Sequence, residues 1–413
     1  MDIFQKCYTY TRADEARAAG LYPFFHEITS RQQAEVTMHG RRTVMLGSNN
    51  YLGLTGDDRI IEAAKQALDR FGSGCSGSRY LNGTLSIHNE MERALAAFFD
   101  KEEAISFSTG FQTNLGILAG LCSRHDTIFM DRANHASLVD GSRLSFAQVR
   151  RFRHNDMDAL EDLLFRCPED RGKIIAVDGV FSMEGDLANL PELVRLKNKY
   201  GARLLVDDSH GAGVMGKTGR GTGEHFGLMD EIDLYMGTFS KAFASLGGFV
   251  AGHHKVLDFL KHNSRPYIFS ASIPPSNVAS VMKALEIVQA EPELVRRVND
   301  NADYMRRELK RMGLPAGDSQ APIIPISTYL DDRTFMVTRA LLDHGVYVNP
   351  VITPAVPLGE SILRTSYTST HTKEQLDFAL EQLVEVLTRL YPISPDEIAA
   401  ARDQAEEEEA TGQ

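Results

Sequence analysis

The sequence predicts an α/β protein with a large, mainly parallel sheet flanked by helices and a smaller carboxy-terminal α/β lobe. Two observations lead there. From about Asp57 onward, short apolar runs of three to five residues alternate with helical patterns. Such runs, apolar on both faces and separated by helices, imply parallel strands covered on both sides. The 413 residues are 43% hydrophobic and 24% charged, enough for a large core shared by two or three domains.

The elements follow in order. Residues 1–52 form a leader, polar apart from the aromatic knot Tyr22-Pro23-Phe24-Phe25. A large domain is expected over 53–290. It opens with helices at Ile60–Phe71 and Leu85–Phe99. Its strands are expected at Ala104–Phe107, Thr127–Met130, Lys173–Val177, Arg203–Val206, Leu234–Met236 and Gly248–Ala251. One helix is sharply bounded: Pro191 sits just inside its start, Leu193, Val194 and Leu196 give it an apolar face, and Gly201 stops it. A second register over 291–393 has helix Glu293–Met312, strand Ile323–Ser327, and helices Asp332–His344 and Lys373–Leu390. Residues 394–413 form an acidic tail, helical or disordered, whose Ser394-Pro395-Asp396-Glu397 is a capping box with proline at the first helical position.

Composition excludes several classes. The longest uncharged run, Ala104 to Ser123, is broken by polar residues, so a membrane span is not expected. The opening MDIFQKCYTYTR lacks the apolar segment of a signal peptide. Cys7, Cys75, Cys122 and Cys167 lie far apart, without metal-ligand spacing, and are expected as reduced thiols in a cytoplasm. The net charge is −12, of which −6 falls in Asp396 to Gln413. No basic stripe for nucleic acid appears.

Ligands of an open parallel sheet bind beyond the carboxyl ends of its strands. Five expected strand ends carry reactive groups there. These are Ser108 to Phe111, then Asp131 to His135, then Asp178 and Ser182, then Asp207 to His210, and finally Gly237 to Lys241. Taken singly, each has a structural reading: Lys241 as a snorkelling lysine, Asp207 as a helix cap, His135 or His210 as a core histidine. Their shared position is what points to chemistry. Lys241 lies among small and apolar neighbours in GTFSKAFASLGG, where desolvation would lower its pKa and prepare an amine nucleophile. Together the groups fit pyridoxal phosphate. Lys241 suits its aldehyde, and Asp207 would keep its ring nitrogen protonated. The Gly110 and Phe111 amides with Thr238 and Ser240 suit its phosphate. His135 suits the ring face, and His210 is spaced to reach the ring hydroxyl. No cluster has metal-ligand spacing.

The motifs NNYLGL (Asn49 to Leu54), GSGCSGSRYLNGT (Gly72 to Thr84), FSTGFQTN (Phe107 to Asn114) and DRANHASLVDG (Asp131 to Gly141) occur in order. They are followed by VDGVFSMEGDLANLPEL (Val177 to Leu193), VDDSHGAGVMGKTGRG (Val206 to Gly221), GTFSKAFASLGG and RPYIFSASIPP (Arg265 to Pro275). From about Gly20 to Leu390 the chain resembles the α-oxoamine synthases, fold type I pyridoxal phosphate enzymes. Within them it looks most like the bacterial branch that condenses L-serine with a long-chain acyl-CoA. The resemblance implies 3-ketodihydrosphingosine, CoA and carbon dioxide as products, in the first step of sphingolipid synthesis. The alternative is a member using glycine or alanine with another acyl-CoA, such as 2-amino-3-ketobutyrate CoA ligase or 8-amino-7-oxononanoate synthase. It also implies Lys241 as the lysine bonded to cofactor, Asp207 as partner of the ring nitrogen, His135 as the stacking base, and His210 on the phenolic oxygen. Arg364, in ILRTSYTSTHT (Ile362 to Thr372), matches the arginine that grips the amino-acid carboxylate, with Asn49 and Ser182 nearby. Ile352 stands near the place where some relatives carry a further arginine. A cytoplasmic homodimer is implied, with Ser270 to Ser272 near the neighbour's cofactor; peripheral membrane contact stays open.

Overall fold

The computed structural model describes residues 2–401. Strands β1 (Glu35–Met38) and β2 (Arg41–Met45) form an antiparallel hairpin. Its turn is His39-Gly40, both at positive φ, the geometry that matches the twist of the flanking strands. The hairpin falls inside the stretch expected to be a polar leader. Its strands carry arginines and threonines rather than an apolar run, so hydrophobicity alone passes over them.

Seven strands make the large sheet: β3 (Glu103–Phe107), β4 (Asp126–Asp131), β5 (Gln148–Phe152), β6 (Gly172–Asp178), β7 (Arg203–Asp207), β8 (Leu234–Thr238) and β9 (Gly248–Gly252). Their order is β3-β9-β8-β7-β6-β4-β5. All six expected strands are present. β5 was not expected, because QVRRF is half-exposed at the sheet edge and polar. β9 also departs from the parallel expectation and pairs antiparallel with both β3 and β8. The nine residues joining β8 to β9 are too few for a parallel crossover, which needs about a dozen or more.

Alternation sorts the strand residues onto two cores. Ile175, Val177, Leu204, Val206, Tyr235 and Phe249 pack on one face, and Ile174, Ala176, Leu205, Leu234, Met236 and Val250 on the other. Burial on both faces is why these strands carry continuous apolar runs. On the first face Phe249 stacks on Phe99 and Phe239, with centroids 5.1 and 5.5 Å apart.

The carboxy-terminal lobe has its own core, around Leu309, Ile324, Val337, Leu341, Leu363 and Leu383. Its sheet pairs β10 (Ile323–Tyr329), β12 (Asn349–Val351) and β13 (Ser361–Ser366), all antiparallel. The short strand β11 (Val346–Tyr347) instead pairs parallel with β2. Leu46 belongs to this lobe's core, and its carbonyl accepts a hydrogen bond from the Ser366 N–H. The amino-terminal hairpin is thereby tied to the second lobe.

The helix Leu190–Tyr200 forms as its signals require, with the Asn189 side chain capping Glu192 N–H, proline in the first turn and Gly201 left-handed at φ +62°. The Ser394–Glu397 capping box is also formed, Ser394 Oγ accepting from Glu397 N–H and the Glu397 carboxylate accepting from Ser394 N–H. Residues 402–413, most of the expected acidic tail, lie outside the described residues. No helix among the described residues is long and apolar enough to cross a membrane.

Replacing Phe249 with Ala should destabilise the chain by about 3–5 kcal/mol, since a fully buried ring with three aromatic neighbours is lost. Denaturant unfolding measures it.

Candidate functional site

The carboxyl ends of β4, β6, β7 and β8 converge on a cavity of about 260 Å³. Gly110, Phe111, His135, Ser182, Asp207, His210, Thr238, Ser240 and Lys241 all line it. Arg364 of the second lobe meets this lining at the Ser182 carbonyl, and Asn49, after β2, meets Arg364. Nine of the eleven residues expected from the sequence therefore line one cavity, and the other two adjoin it.

Each is placed by a local reason. The helix Gly110–Leu121 begins at the rim, capped by Thr109, whose hydroxyl accepts the Gln112 N–H. A Cβ on Gly110 would lie 2.7 Å from Thr238 Oγ1, so glycine is required for the helix start to approach β8. Thr238 and Ser240 hydroxyls are 3.0 Å apart. This gives hydroxyls and amide donors at a helix amino terminus, the usual setting for a phosphate.

Asp207, which ends β7, is 5% exposed. Its carboxylate accepts from Asn114 Nδ2 at 2.6 Å and from Ser209 N–H at 3.0 Å. The same Asn114 amide donates to Ser137 Oγ, which lies 2.7 Å from His135 Nδ1. Asp207 and His135 are thus coupled through two side chains that the sequence reading did not single out. Asn114 was visible in FSTGFQTN, but nothing in the motif says which strand end it faces. His135 caps the helix Ala136–Leu144 and stays exposed at the cavity.

Lys241 lies within the cavity. Loss of solvation lowers its pKa, Asp207 partly restores it, and Arg364 lowers it again, leaving it at about 8. Burial drives His210 well below its ordinary value, with Lys241 and Arg364 adding to the effect. Asp178 is pushed well up by burial and by its neighbour Asp207. Burial raises Asp208 to about 6 against the hydrogen bonds from Tyr235 and Thr222.

Arg364, on β13, is 5% exposed. It donates from Nε to the Ser182 carbonyl, from Nη1 to Ser366 Oγ at 3.0 Å and from Nη2 to Asn49 Oδ1 at 3.1 Å. Tyr51, fully buried, puts its hydroxyl 2.7 Å from His210 Nδ1 and 3.5 Å from Arg364 Nη2. It links the two, and it too was missed, hidden inside NNYLGL as an apparent core aromatic. On the surface at the other end of the sheet, Glu102, His253 and His254 bring three ligand-type atoms within 4.8 Å of one another, all exposed. His254 Nδ1 there pairs with Glu102 at 2.9 Å.

This fold, with a poorly solvated lysine facing a buried aspartate at the strand ends, defines a class, and the family model "Aminotransferase class I and II" matches residues 41–383. The chain belongs to that family. Within it, the chain is 52% identical to a serine palmitoyltransferase of Sphingobacterium spiritivorum, over 90% of this chain and 94% of that one. It is 41% identical to the 8-amino-7-oxononanoate synthase of Thermosipho melanesiensis, over 91% and 96% of the two chains. A solved structure of Sphingomonas wittichii serine palmitoyltransferase superposes with a TM-score of 0.89 at 36% identity, covering 94% of this chain and 98% of that one. The motif-based resemblance and the fold class it implied are borne out.

A lysine held at about 8 makes the cofactor-free fold more stable as pH rises from about 8 to 10.5, because across that window the unfolded lysine is protonated and the folded one is not. Lys241→Met should therefore stabilise the cofactor-free chain by ~3.5 kcal/mol at pH 7, from a pKa lowered from 10.5 to about 8 at about 1.4 kcal/mol per pKa unit. The gain should vanish by about pH 10.5, the ordinary lysine pKa; urea unfolding across pH measures it.

Proposed function

We infer that the chain is a pyridoxal phosphate-dependent acyltransferase that condenses L-serine with a long-chain acyl-CoA. The products are 3-ketodihydrosphingosine, CoA and carbon dioxide, the first step of sphingolipid synthesis. The observation that carries the reading is a cavity lined by Lys241 and Asp207, with Arg364 bonded to Ser182 at its rim, in a chain about half identical to several serine palmitoyltransferases.

The residues present fit the cofactor. Lys241 supplies the amine for its aldehyde and Asp207 a carboxylate for its ring nitrogen. Gly110 and Phe111 amides with the Thr238 and Ser240 hydroxyls serve its phosphate, in a cradle that a Cβ at Gly110 would fill. His135 serves the ring face and His210 the phenolic oxygen. When bound, the cofactor supplies an electron sink for charge developing at the amino acid's α-carbon.

The chain's own residues do the rest. Arg364 holds the serine carboxylate, its guanidinium fixed by Ser182, Ser366 and Asn49 so that its remaining terminal N–H groups are aimed. Lys241 Nζ takes the α-proton, a task suited to an amine whose pKa sits near operating pH. Holding the two substrates in one orientation replaces a bimolecular encounter with a positioned one. The α-carbon, having given up its proton, bonds to the thioester carbonyl carbon as the C–S bond breaks and CoA leaves. Carbon dioxide then departs from the carboxylate held by Arg364, and a proton returns to the same carbon.

We further propose a cytoplasmic homodimer with shared sites, the cofactor held mainly by residues 53–290 and closed over by 291–393. Supporting the dimer are Leu81 and Phe269, 74% and 77% exposed. They flank a contact in which Ser272 N–H donates to the Gly77 carbonyl. The four free cysteines accord with a reducing compartment.

Lys241→Ala should abolish both the visible absorbance of the cofactor-loaded protein and turnover; retention of both would refute the assignment. Arg364→Lys should raise KM for serine at least tenfold with a smaller effect on kcat, because one ammonium cannot reproduce a two-pronged grip. Carbon dioxide and CoA release measured with L-serine, glycine and L-alanine across acyl lengths should be largest for serine with long chains; a maximum for alanine with a shorter chain would indicate the 8-amino-7-oxononanoate type.

A further inference from the structure

His154 lies in the turn after β5 and does not line the cavity. Its Nδ1 is 3.1 Å from Asp131 Oδ1, and its Nε2 is 2.9 Å from Asp186 Oδ2. Its ring meets Phe181 edge-on, with centroids 4.4 Å apart. Carboxylates accept and do not donate, so both ring nitrogens donate when the imidazole is charged. Burial works against that charge, but the hydrogen bonds to the two acids outweigh it and raise the group to about 10.

The two acids belong to different segments of the site. Asp131 ends β4 and opens the loop that carries His135; it also accepts from the Ala133 and Asn155 N–H groups, both at 2.8 Å. Asp186 belongs to the loop that carries Ser182, and Asn155 Nδ2 donates to it at 3.0 Å. That second loop in turn rests on the carboxy-terminal lobe. The Gly185 carbonyl accepts from the Gln320 and Ala321 N–H groups, both at 2.8 Å. Gly185 has φ +71°, and a Cβ there would lie 2.3 Å from the Ile323 carbonyl oxygen. The Ser182 carbonyl accepts from Arg364 Nε.

We propose that His154 is a positioning residue for amino-acid binding, a bridge that locks the His135 loop and the Ser182–Arg364 contact into one frame. The inference rests on the reading above and deepens it: the stacking base and the carboxylate grip come from different lobes, and their separation is set at His154. Without it, Asp131 and Asp186 would face each other with no cation between them and only Asn155 bridging them, and the loops would loosen.

The test compares cofactor-loaded wild type with His154→Leu and with His154→Gln, which keeps a donor for one acid. Hydrogen exchange is followed over residues 131–137 and 181–187, and the cofactor spectrum is titrated with L-serine, glycine and L-alanine. For His154→Leu, both segments should exchange at least fivefold faster while the helix Glu293–Arg311 stays within twofold, and amino-acid binding should weaken at least fivefold. His154→Gln should fall between, and it decides the matter if His154→Leu does not fold. Unchanged exchange in either segment, a uniform acceleration across the chain, or binding within twofold of wild type overturns the inference. A wild-type spectrum that no amino acid moves counts against the acyltransferase reading instead, and the exchange data then judge the bridge alone.

Discussion

A poorly solvated amine opposite a buried carboxylate is the constraint from which the rest of the site follows. Lost solvation works against the Lys241 ammonium and Asp207 only partly restores it, while Asp207 is itself held by Asn114 and the Ser209 N–H, so the two must be delivered to one level. The sheet solves this by register. Asp178 and Asp207 are Cα partners across β6 and β7, and Asp207 is the partner of Met236 on β8. Parallel strands ending in step therefore deliver their polar residues to one level, just above two apolar layers. Thr238 ends β8 at that level, and Lys241 follows on the turn that leads into β9.

The second lobe is needed because the sheet has acids to spare and few cations. Arg364 is supplied by β13 and steadied by groups from two distant stretches: Asn49 and Tyr51 after the hairpin, and Ser182 in the loop after β6. The amino-terminal hairpin matters for the same reason. Pairing of β2 with β11, together with the Leu46–Ser366 hydrogen bond, fastens the Asn49–Tyr51 segment to the lobe that carries Arg364. The residues proposed to bind substrate thus also join the lobes, so a change at Asn49 or Tyr51 should act on both.

Much of this was legible in the sequence where chemistry and periodicity agree. Six strands of the large sheet were visible because burial on both faces gives an unbroken apolar run, and the residues just beyond them named the cavity's contents. Strands without an unbroken apolar run were not visible: QVRRF lies at the edge of the large sheet, and RRTVM opens on two exposed arginines. The reversal of β9 is written in loop length, not in its apolar residues. In the site, groups that do chemistry stood out by type, whereas Asn114, Ser137, Tyr51 and His154 act through partners far away in sequence. An asparagine in a helix or a histidine in a turn has no local signature of what it will touch.

The distribution of acids bears on why the site has so many. Asp178 and Asp208 are both driven toward their neutral forms by burial, and each has a carboxyl oxygen without a partner among the described residues. Asp207 differs in having both carboxylate oxygens bonded, Oδ2 by Asn114 Nδ2 and Oδ1 by the Ser209 N–H. Three aspartates within two strand ends therefore need not mean three charges. With His210 also held toward its neutral form, charge in the cavity concentrates on Asp207, Lys241 and Arg364. Two of those three are cationic, the balance required where an anionic phosphate and an amino-acid carboxylate are to be received together.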